Sequence, residues 1–203
     1  VQHLLVREEG VSFSASRAER DGEPEFLASE DQWFRPVMAR TGPDGALWIV
    51  DMYRYMIEHP DWLPPEGRKE LEPFYRQGES HGRIYRVVPK ERTHAVQRSR
   101  ATPLDRLSPV ELVATLASAN GWLRDQAQQL LVWRADNSAV APLEALLQSS
   151  SNPRARLQAL CTLDGLRSLK PSIVEHALVD SHPAVRRHAV RLAESLAGPA
   201  PHL

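Results

Sequence analysis

The sequence predicts a chain of mixed class, in which a β-sheet region is followed by a stack of paired α-helices. Residues 1–92 contain short apolar runs that alternate with polar residues and end at turn residues, whereas residues 103–203 show the 3.6-residue apolar period of helices. The stretch 89–103 between them is polar, basic and bounded by prolines, as linkers often are. We therefore expect two domains, 1–92 and 103–203.

The amino-acid composition gives no support for a nucleic-acid-binding or membrane-spanning protein. The 203 residues are 42% hydrophobic and 25% charged, which is typical of a folded globular chain. A formal net charge of -1 gives no reason to expect nucleic acid as a partner, and no apolar run reaches the length of a membrane span. The single cysteine, Cys161, has leucine neighbours and is predicted to be a buried small side chain rather than a reactive thiol.

The clearest local unit of the first region is a β-hairpin. Residues 37–41 and 46–51 are predicted strands around a Gly-Pro-Asp-Gly turn, in which Pro43 presets φ and Gly45 supplies a positive φ. Residues 82–88 alternate in the same way and predict a third antiparallel strand. Residues 4–6 and 12–15 are candidates for two more strands.

A long excursion, residues 52–81, separates the predicted hairpin from the third strand. Hairpins rarely need so much chain, and this stretch is rich in aromatic and titratable groups. Two interpretations stay open, a binding loop or lid and a purely structural flap.

The second region contains an internal repeat of about thirty residues. Alignment brings Arg124, Arg156 and Arg186 into register, with Pro153 and Pro183 at the first position of a helix. Such a period predicts a solenoid of helix pairs. The repeated arginine is either a solvated or inter-repeat pairing residue, or one member of a basic row that faces a ligand.

Further helix starts complete three predicted helical hairpins. A capping box begins at Ser108, and other helices are predicted to start near Asn137 and Pro171. No metal site is predicted, because the histidines of the last repeat are six residues apart rather than three or four.

Four segments of the first region together resemble one known family: Trp-Phe-Arg-Pro-Val at 33–37, Gly-Pro-Asp-Gly-Ala-Leu-Trp-Ile-Val-Asp-Met-Tyr-Arg at 42–54, Ile-Glu-His-Pro at 57–60 and Gly-Arg-Ile-Tyr-Arg-Val at 82–87. They resemble planctomycete and verrucomicrobial propeller proteins described as membrane-bound dehydrogenases with a haem-binding Cys-x-x-Cys-His motif. In that family a β-propeller similar to quinoprotein glucose and sorbosone dehydrogenases precedes HEAT repeats and usually a c-type cytochrome domain.

The resemblance implies the finer fold class, a partial β-propeller (its last blade) followed by an α-helical HEAT-like solenoid. It covers residues 1–90 closely and is generic to HEAT repeats beyond 103. It implies that the chain is a piece of a larger periplasmic or cell-surface protein. The absence of Met at position 1 also leads us to expect a piece of a larger protein. The expected partners are the rest of the propeller and a downstream cytochrome domain.

Two functions follow as expectations. In the first, the parent is a sugar or alcohol dehydrogenase that uses pyrroloquinoline quinone and haem c, while this piece holds no cofactor and is inactive alone. In the second, the parent is a non-catalytic scaffold with a protein partner on its HEAT surface.

Five residues are candidates for chemistry near the end of the predicted hairpin. Asp51, Tyr53 and Arg54 would lie at the rim of the central channel if the hairpin is the inner part of a blade, although an Asp that ends a strand is more often a turn acceptor. Glu58 and His59 are either an acid–base pair or packing and surface residues.

Overall fold

The computed structural model describes residues 1–9, 12–90 and 103–196 and contains both strands and helices, which confirms the mixed class. Residues 91–102 of the predicted linker lie outside the described ranges. Contacts divide the chain into two compact units. The first comprises Val1–Arg40 and Leu47–Val88, and the second comprises Thr41–Ala46 and Pro89–Leu203.

The first unit contains two small sheets. The predicted strands near the start of the chain are β1 (Leu4–Glu9) and β2 (Ser12–Arg17), which pair with each other antiparallel as a separate two-stranded sheet. The second sheet has three strands in the order β3-β4-β5, as predicted. Their bounds are Pro36–Thr41, Leu47–Asp51 and Arg83–Val87.

The register of β4 and β5 decides which side chains face each other. The two strands are antiparallel, with Leu47 opposite Val87 and Asp51 opposite Arg83. Side chains alternate between the faces of a sheet, so Ile49 and Asp51 lie on the same face. Both are fully buried, whereas every residue of β3 is exposed.

The turn between β3 and β4 forms as its residues predict. The Gly45 N–H donates to the Gly42 carbonyl (3.0 Å), and the Gly42 N–H donates to the Ala46 carbonyl (2.9 Å). Gly45 has a φ of 77°, which a residue with a Cβ adopts only at a cost. The Asp44 carboxylate accepts from the Ala46 N–H at 3.0 Å.

The excursion 52–81 is not an irregular loop. It contains one short α-helix, α1 (Pro65–Leu71), between two single 3₁₀ turns at Pro60–Trp62 and Glu72–Phe74. A proline is the first or second residue of each of these elements, where its missing N–H is not needed.

The described residues of the second unit form six helices, α2 to α7 in chain order, which pack in consecutive pairs. Their bounds are Pro109–Thr115, Gly121–Arg134, Val140–Ser149, Pro153–Gly165, Pro171–Leu178 and Pro183–Leu196. Helices α2 and α3 pair, as do α4 and α5, and α6 and α7, while the second helices of successive pairs also touch. Among the described helices, none is long and apolar enough to cross a membrane.

Predicted helix starts are confirmed with one displacement. Ser108 and Glu111 form the capping box, with the Glu111 carboxylate 2.8 Å from the Ser108 N–H. Pro153, Pro171 and Pro183 begin their helices. The helix predicted near Asn137 starts three residues later, because a 3₁₀ turn precedes it.

The apolar core lies within the helical unit. Leucines supply most of its buried volume, and Gly165 approaches the Val132 side chain so closely that a Cβ would lie 2.7 Å from it. Cys161 packs half-buried against this core, and burial raises the pKa of its thiol. This placement favours the predicted role as a small apolar side chain. The fully buried leucines are Leu112, Leu116, Leu131, Leu143, Leu147, Leu160 and Leu163.

Three equivalent loops precede α3, α5 and α7, and each is closed by the same hydrogen bonds, which we call the loop network. The first residue of the loop accepts the N–H of the residue two positions later, at 2.7 to 3.2 Å. That later residue caps the helix by accepting an N–H of its first turn. The pairs of loop residue and cap are Ser118 and Asn120, Ser150 and Asn152, and Asp180 and His182.

The repeated arginine completes the loop network. Each guanidinium donates to the carbonyl six residues before it: Arg124 to Ser118 at 2.7 Å, Arg156 to Ser150 at 2.9 Å, and Arg186 to Asp180 at 2.7 Å. Arg156 also forms a two-pronged ion pair with the Asp180 carboxylate, with both distances 2.7 Å. The register of these arginines therefore serves the fold, and inter-repeat pairing is confirmed for Arg156.

We expect Asp180→Asn to lower the free energy of unfolding by about 1–3 kcal/mol, because it removes the charge from a pair whose side chains are 11% and 7% exposed. Arg156 holds the pKa of Asp180 below its usual value. The stabilisation is therefore present above the unfolded pKa of about 3.9 and is lost as the pH falls through the folded pKa.

Urea unfolding followed by helical circular dichroism, at neutral pH and at low pH, measures this effect. Glu194→Gln, which neutralises an exposed carboxylate of the same unit, is the control. An Asp180→Asn variant as stable as the parent chain at neutral pH would contradict the assignment.

Candidate functional site

Asp51 ends β4 and acts as a backbone acceptor. Its Oδ1 accepts from the N–H of Arg35 at 2.8 Å and from the N–H of Tyr53 at 3.0 Å. Beyond it the hairpin pairing resumes, since the Met52 N–H donates to the Arg35 carbonyl (2.9 Å) and the Arg54 N–H to the Trp33 carbonyl (3.1 Å). The carboxylate thus provides an acceptor at a local irregularity of the hairpin, as the turn-acceptor interpretation expects.

The second carboxylate oxygen of Asp51 is buried and has no hydrogen-bond partner among the described residues. The nearest cation is Arg83, which lies opposite in the strand register, with its Nε 3.9 Å from that oxygen. This distance is too long for a hydrogen bond but short enough for charge compensation at a buried carboxylate.

Tyr53 joins this strand end to the excursion. Its φ is 51°, in the left-handed region that residues with a Cβ seldom adopt. The Arg83 guanidinium lies 4.0 Å from the centre of its ring, and the Trp33 ring lies 5.6 Å away on a tilted approach. Such contacts of a cation and a second ring with one aromatic side chain are mutually favourable.

Asp31, which the sequence did not single out, shares a hydrogen bond with Tyr53. The N–H of Trp33 donates to the Asp31 carboxylate at 3.0 Å, and this bond together with the Tyr53 hydroxyl holds the pKa of Asp31 below its usual value. The hydrogen bond between the Tyr53 hydroxyl and the Asp31 carboxylate raises the pKa of Tyr53. The carboxylate and the phenol therefore keep their ordinary neutral-pH forms, ionised and protonated.

Gly78, near the end of the excursion, packs closely against the backbone of Tyr53. It has a φ of 89°, and a Cβ at this position would lie 2.5 Å from the Tyr53 carbonyl oxygen. The Tyr55 N–H donates to the Gln77 carbonyl at 3.4 Å, and the Tyr55 ring lies 5.6 Å from that of Phe74. The start and the end of the excursion are therefore packed against each other.

Arg54 does not extend into an open site. Its guanidinium donates to the carbonyls of the two preceding residues, Met52 at 3.5 Å and Tyr53 at 3.3 Å. These bonds lie at the long end of the normal range, so they orient the side chain weakly.

Glu58 and His59 bond to neighbouring backbone rather than to each other. The Glu58 carboxylate accepts from the Ile57 N–H at 3.1 Å. The His59 ring accepts from the Asp61 N–H at 3.2 Å and so caps the 3₁₀ turn that follows. Both residues are exposed, and their arrangement is that of the packing and surface alternative.

Tyr75 is a second feature that sequence reasoning missed. Its hydroxyl is buried and has no hydrogen-bond partner among the described residues. Burial raises the pKa of Tyr75, and the Glu58 carboxylate adds to this effect. Nothing in the local pattern of the excursion distinguishes this tyrosine from its neighbours, because its burial arises from the fold of the whole segment.

The contact between Arg83 and Asp51, by contrast, could have been predicted from the sequence. It begins a strand that pairs antiparallel with β4, and Asp51 ends β4, so the two residues meet at the same end of the sheet. Opposite charges at opposite positions of an antiparallel pair are a known stabilising arrangement.

Taken together, these residues form a group at the end of β4 that we call the strand-end cluster: Asp31, Trp33, Asp51, Tyr53 and Arg83. Its members bond to one another and to backbone. In the part of the chain that the structure describes, no group of three or more His, Cys, Asp or Glu side chains is arranged to hold a metal ion.

Comparison with known protein families gives a match over the first region of the chain. Residues 1–91 match the family model described as "Domain of unknown function (DUF7133)". Neither a curated protein nor a solved structure matches the chain. The match falls on the region that holds both sheets and the strand-end cluster, and it carries no statement of activity.

We expect Gly78→Ala to lower the free energy of unfolding by about 2–3 kcal/mol, because the new Cβ both strains the backbone and collides with the Tyr53 carbonyl. The matched control is Gly45→Ala. Gly45 also has a positive φ, but a Cβ there meets open space, so only a conformational cost of about 1 kcal/mol is expected. Denaturant unfolding compares the two, and equal losses would contradict the close approach.

Proposed function

We propose that this chain is a structural and protein-binding part of a larger protein, in which the first unit is a propeller-type blade and the second a short HEAT-like stack. The observation that carries the proposal is the sparse core of the first unit. Among its described residues, the buried apolar side chains are those of Ala18 and Ile49. A β unit of this size needs more apolar burial than that to be stable alone.

The apolar side chains that would form a larger core are present but exposed. Val6 is 66% exposed, Val37 60% and Ile84 63%, one on each of three different strands. In β1 and β2 the register puts Val6 opposite Ala15, and Leu4 and Phe13 lie on the same face, which therefore holds most of the apolar side chains of the pair. Propeller blades cover such faces by packing against neighbouring blades. We therefore take further β-strands of the same protein as the partner of these faces.

The second unit supports the HEAT-like half of the proposal through its repetition. Its helix pairs follow one another with the same capped loop, and each pair packs against the next. Short stacks of this kind present continuous helix faces that commonly bind other proteins.

The dehydrogenase hypothesis concerns the larger protein rather than these residues. Four of the five candidates use their side chains on nearby backbone groups: Asp51, Arg54, Glu58 and His59. A c-type haem does not fit this chain, whose single cysteine cannot provide the paired thiols of the attachment motif. For pyrroloquinoline quinone, an anionic cofactor, the arginines of the strand end are already engaged by carbonyls and by the Tyr53 ring.

The exposed strand faces predict self-association of the isolated chain. We expect light scattering to show oligomers that grow with concentration, together with binding of a hydrophobic dye. Val6→Lys combined with Ile84→Lys should reduce both signals. Val190→Lys, at an exposed valine of the helical unit, is the matched control and should leave them unchanged. A parent chain that is monomeric at high concentration and binds no dye would contradict the covered-face proposal.

The chain alone is expected to show no sugar or alcohol oxidation when pyrroloquinoline quinone and a redox dye are added, because its candidate residues are held in structural contacts. The control is the same mixture without the quinone. Turnover that depends on the quinone and is abolished by His59→Gln, whose side chain is exposed, would overturn the assignment of a non-catalytic role.

A further inference from the structure

Asn120 differs chemically from the other caps of the loop network. It is followed by Gly121, whereas Asn152 and His182 are followed by proline. An asparagine side chain is converted to aspartate when the nitrogen of the next residue attacks its Cγ. Glycine offers the least steric hindrance to this attack, and proline has no N–H to lose. Of the three loops, only the first therefore carries the sequence required for this reaction.

In the folded chain the same asparagine is held by contacts on both of its side-chain atoms. Its Oδ1 accepts from the Trp122 N–H at 2.9 Å. Its Nδ2 donates to the carbonyls of Gly42 at 3.0 Å and Pro43 at 3.2 Å, in the turn segment that belongs to the second unit. The Asn120 carbonyl also accepts from the Arg124 N–H at 3.3 Å, which fixes the peptide that links it to Gly121.

We propose that Asn120 is a deamidation site that the fold protects, so that modification occurs when the start of α3 opens. The Gly121 nitrogen attacks Cγ of Asn120 and loses its proton, the bond from Cγ to Nδ2 breaks, and ammonia leaves. Water then opens the resulting succinimide to aspartate or isoaspartate. Attack requires Cγ and the Gly121 nitrogen to approach each other, which breaks the cap and both bonds to the turn.

The product differs from asparagine in a way that matters at this position. An aspartate side chain can still accept from the Trp122 N–H, but it cannot donate to the carbonyls of Gly42 and Pro43. It instead places a negative charge against two carbonyl oxygens, and both lose the Asn120 donor, although the Gly42 carbonyl still accepts from the Gly45 N–H. The isoaspartate product adds a methylene to the backbone at the cap. Deamidation is therefore expected to destabilise the turn contact and the start of α3.

The first test compares the folded chain with the chain unfolded in urea, both incubated at mildly alkaline pH. Peptide mapping by mass spectrometry follows the gain of one dalton in the peptide that contains Asn120. We expect the folded chain to react more slowly by about tenfold or more, because reaction requires local opening. Equal rates in the two states would overturn the proposal.

The second test uses matched substitutions at equivalent caps. Asn120→Asp should lower Tm, because it loses both bonds to the turn carbonyls. Asn152→Asp should leave Tm unchanged or raise it, since the Asn152 side chain caps its helix by accepting from the Arg154 N–H and a negative charge suits a helix start. Asn120→Ser keeps a capping oxygen without the charge and should fall between them. Equal Tm changes for the two aspartate variants would overturn the role assigned to the turn carbonyls.

Discussion

The buried carboxylate of Asp51 holds the point at which the chain leaves the three-stranded sheet. One oxygen accepts the N–H groups of Arg35 and Tyr53, and these bonds allow Tyr53 to take its positive φ. The direction of the excursion, the placement of the Tyr53 ring and the close approach of Gly78 all follow from that backbone conformation. A buried carboxylate with one unpaired oxygen is costly unless a cation is near, and Arg83 supplies that cation from the opposite strand.

The helical unit is stabilised in a different way. Its loops are closed by contacts between residues no more than six positions apart, repeated three times along the chain. Local contacts of this kind cost little chain entropy to form. The β unit instead depends on contacts between distant positions, such as Asp51 with Arg35 and with Arg83, and its apolar side chains find few partners within the described chain. The two units therefore differ in the kind of contact that stabilises them.

The features that the sequence predicted correctly are those set by neighbouring residues. The hairpin turn around Gly45, the capping box at Ser108 and the proline starts of α5 and α7 depend on local backbone preferences, which the sequence states directly. The register of the repeated arginines was also visible, but the acceptors of their hydrogen bonds were not. These acceptors are carbonyl groups, and every residue has one, so no side-chain pattern identifies them.

The strand-end cluster shows where prediction from sequence stopped. The sequence alone is compatible with both a channel-rim role and a turn-acceptor role for Asp51, because the choice depends on whether the N–H of Arg35, sixteen residues earlier, lies within reach. The sequence is likewise compatible with both interpretations of Glu58 and His59, since adjacency in sequence does not determine where two side chains point. Asp31 and Tyr75 were missed, because their environments are created by segments that meet only in the folded chain.

The closure of each loop within its own repeat has a consequence for the evolution of this chain. Each helix pair contains the arginine, the cap and the loop acceptor that stabilise the start of its second helix. A block of about thirty residues can therefore be duplicated or deleted without changing these hydrogen bonds in the neighbouring pairs. The ion pair between Arg156 and Asp180 occurs at one junction and is not part of the hydrogen-bond pattern that all three loops share. The helical unit can therefore change in length by whole repeats. Each added or deleted helix pair changes the distance between the two ends of the unit by the thickness of one pair.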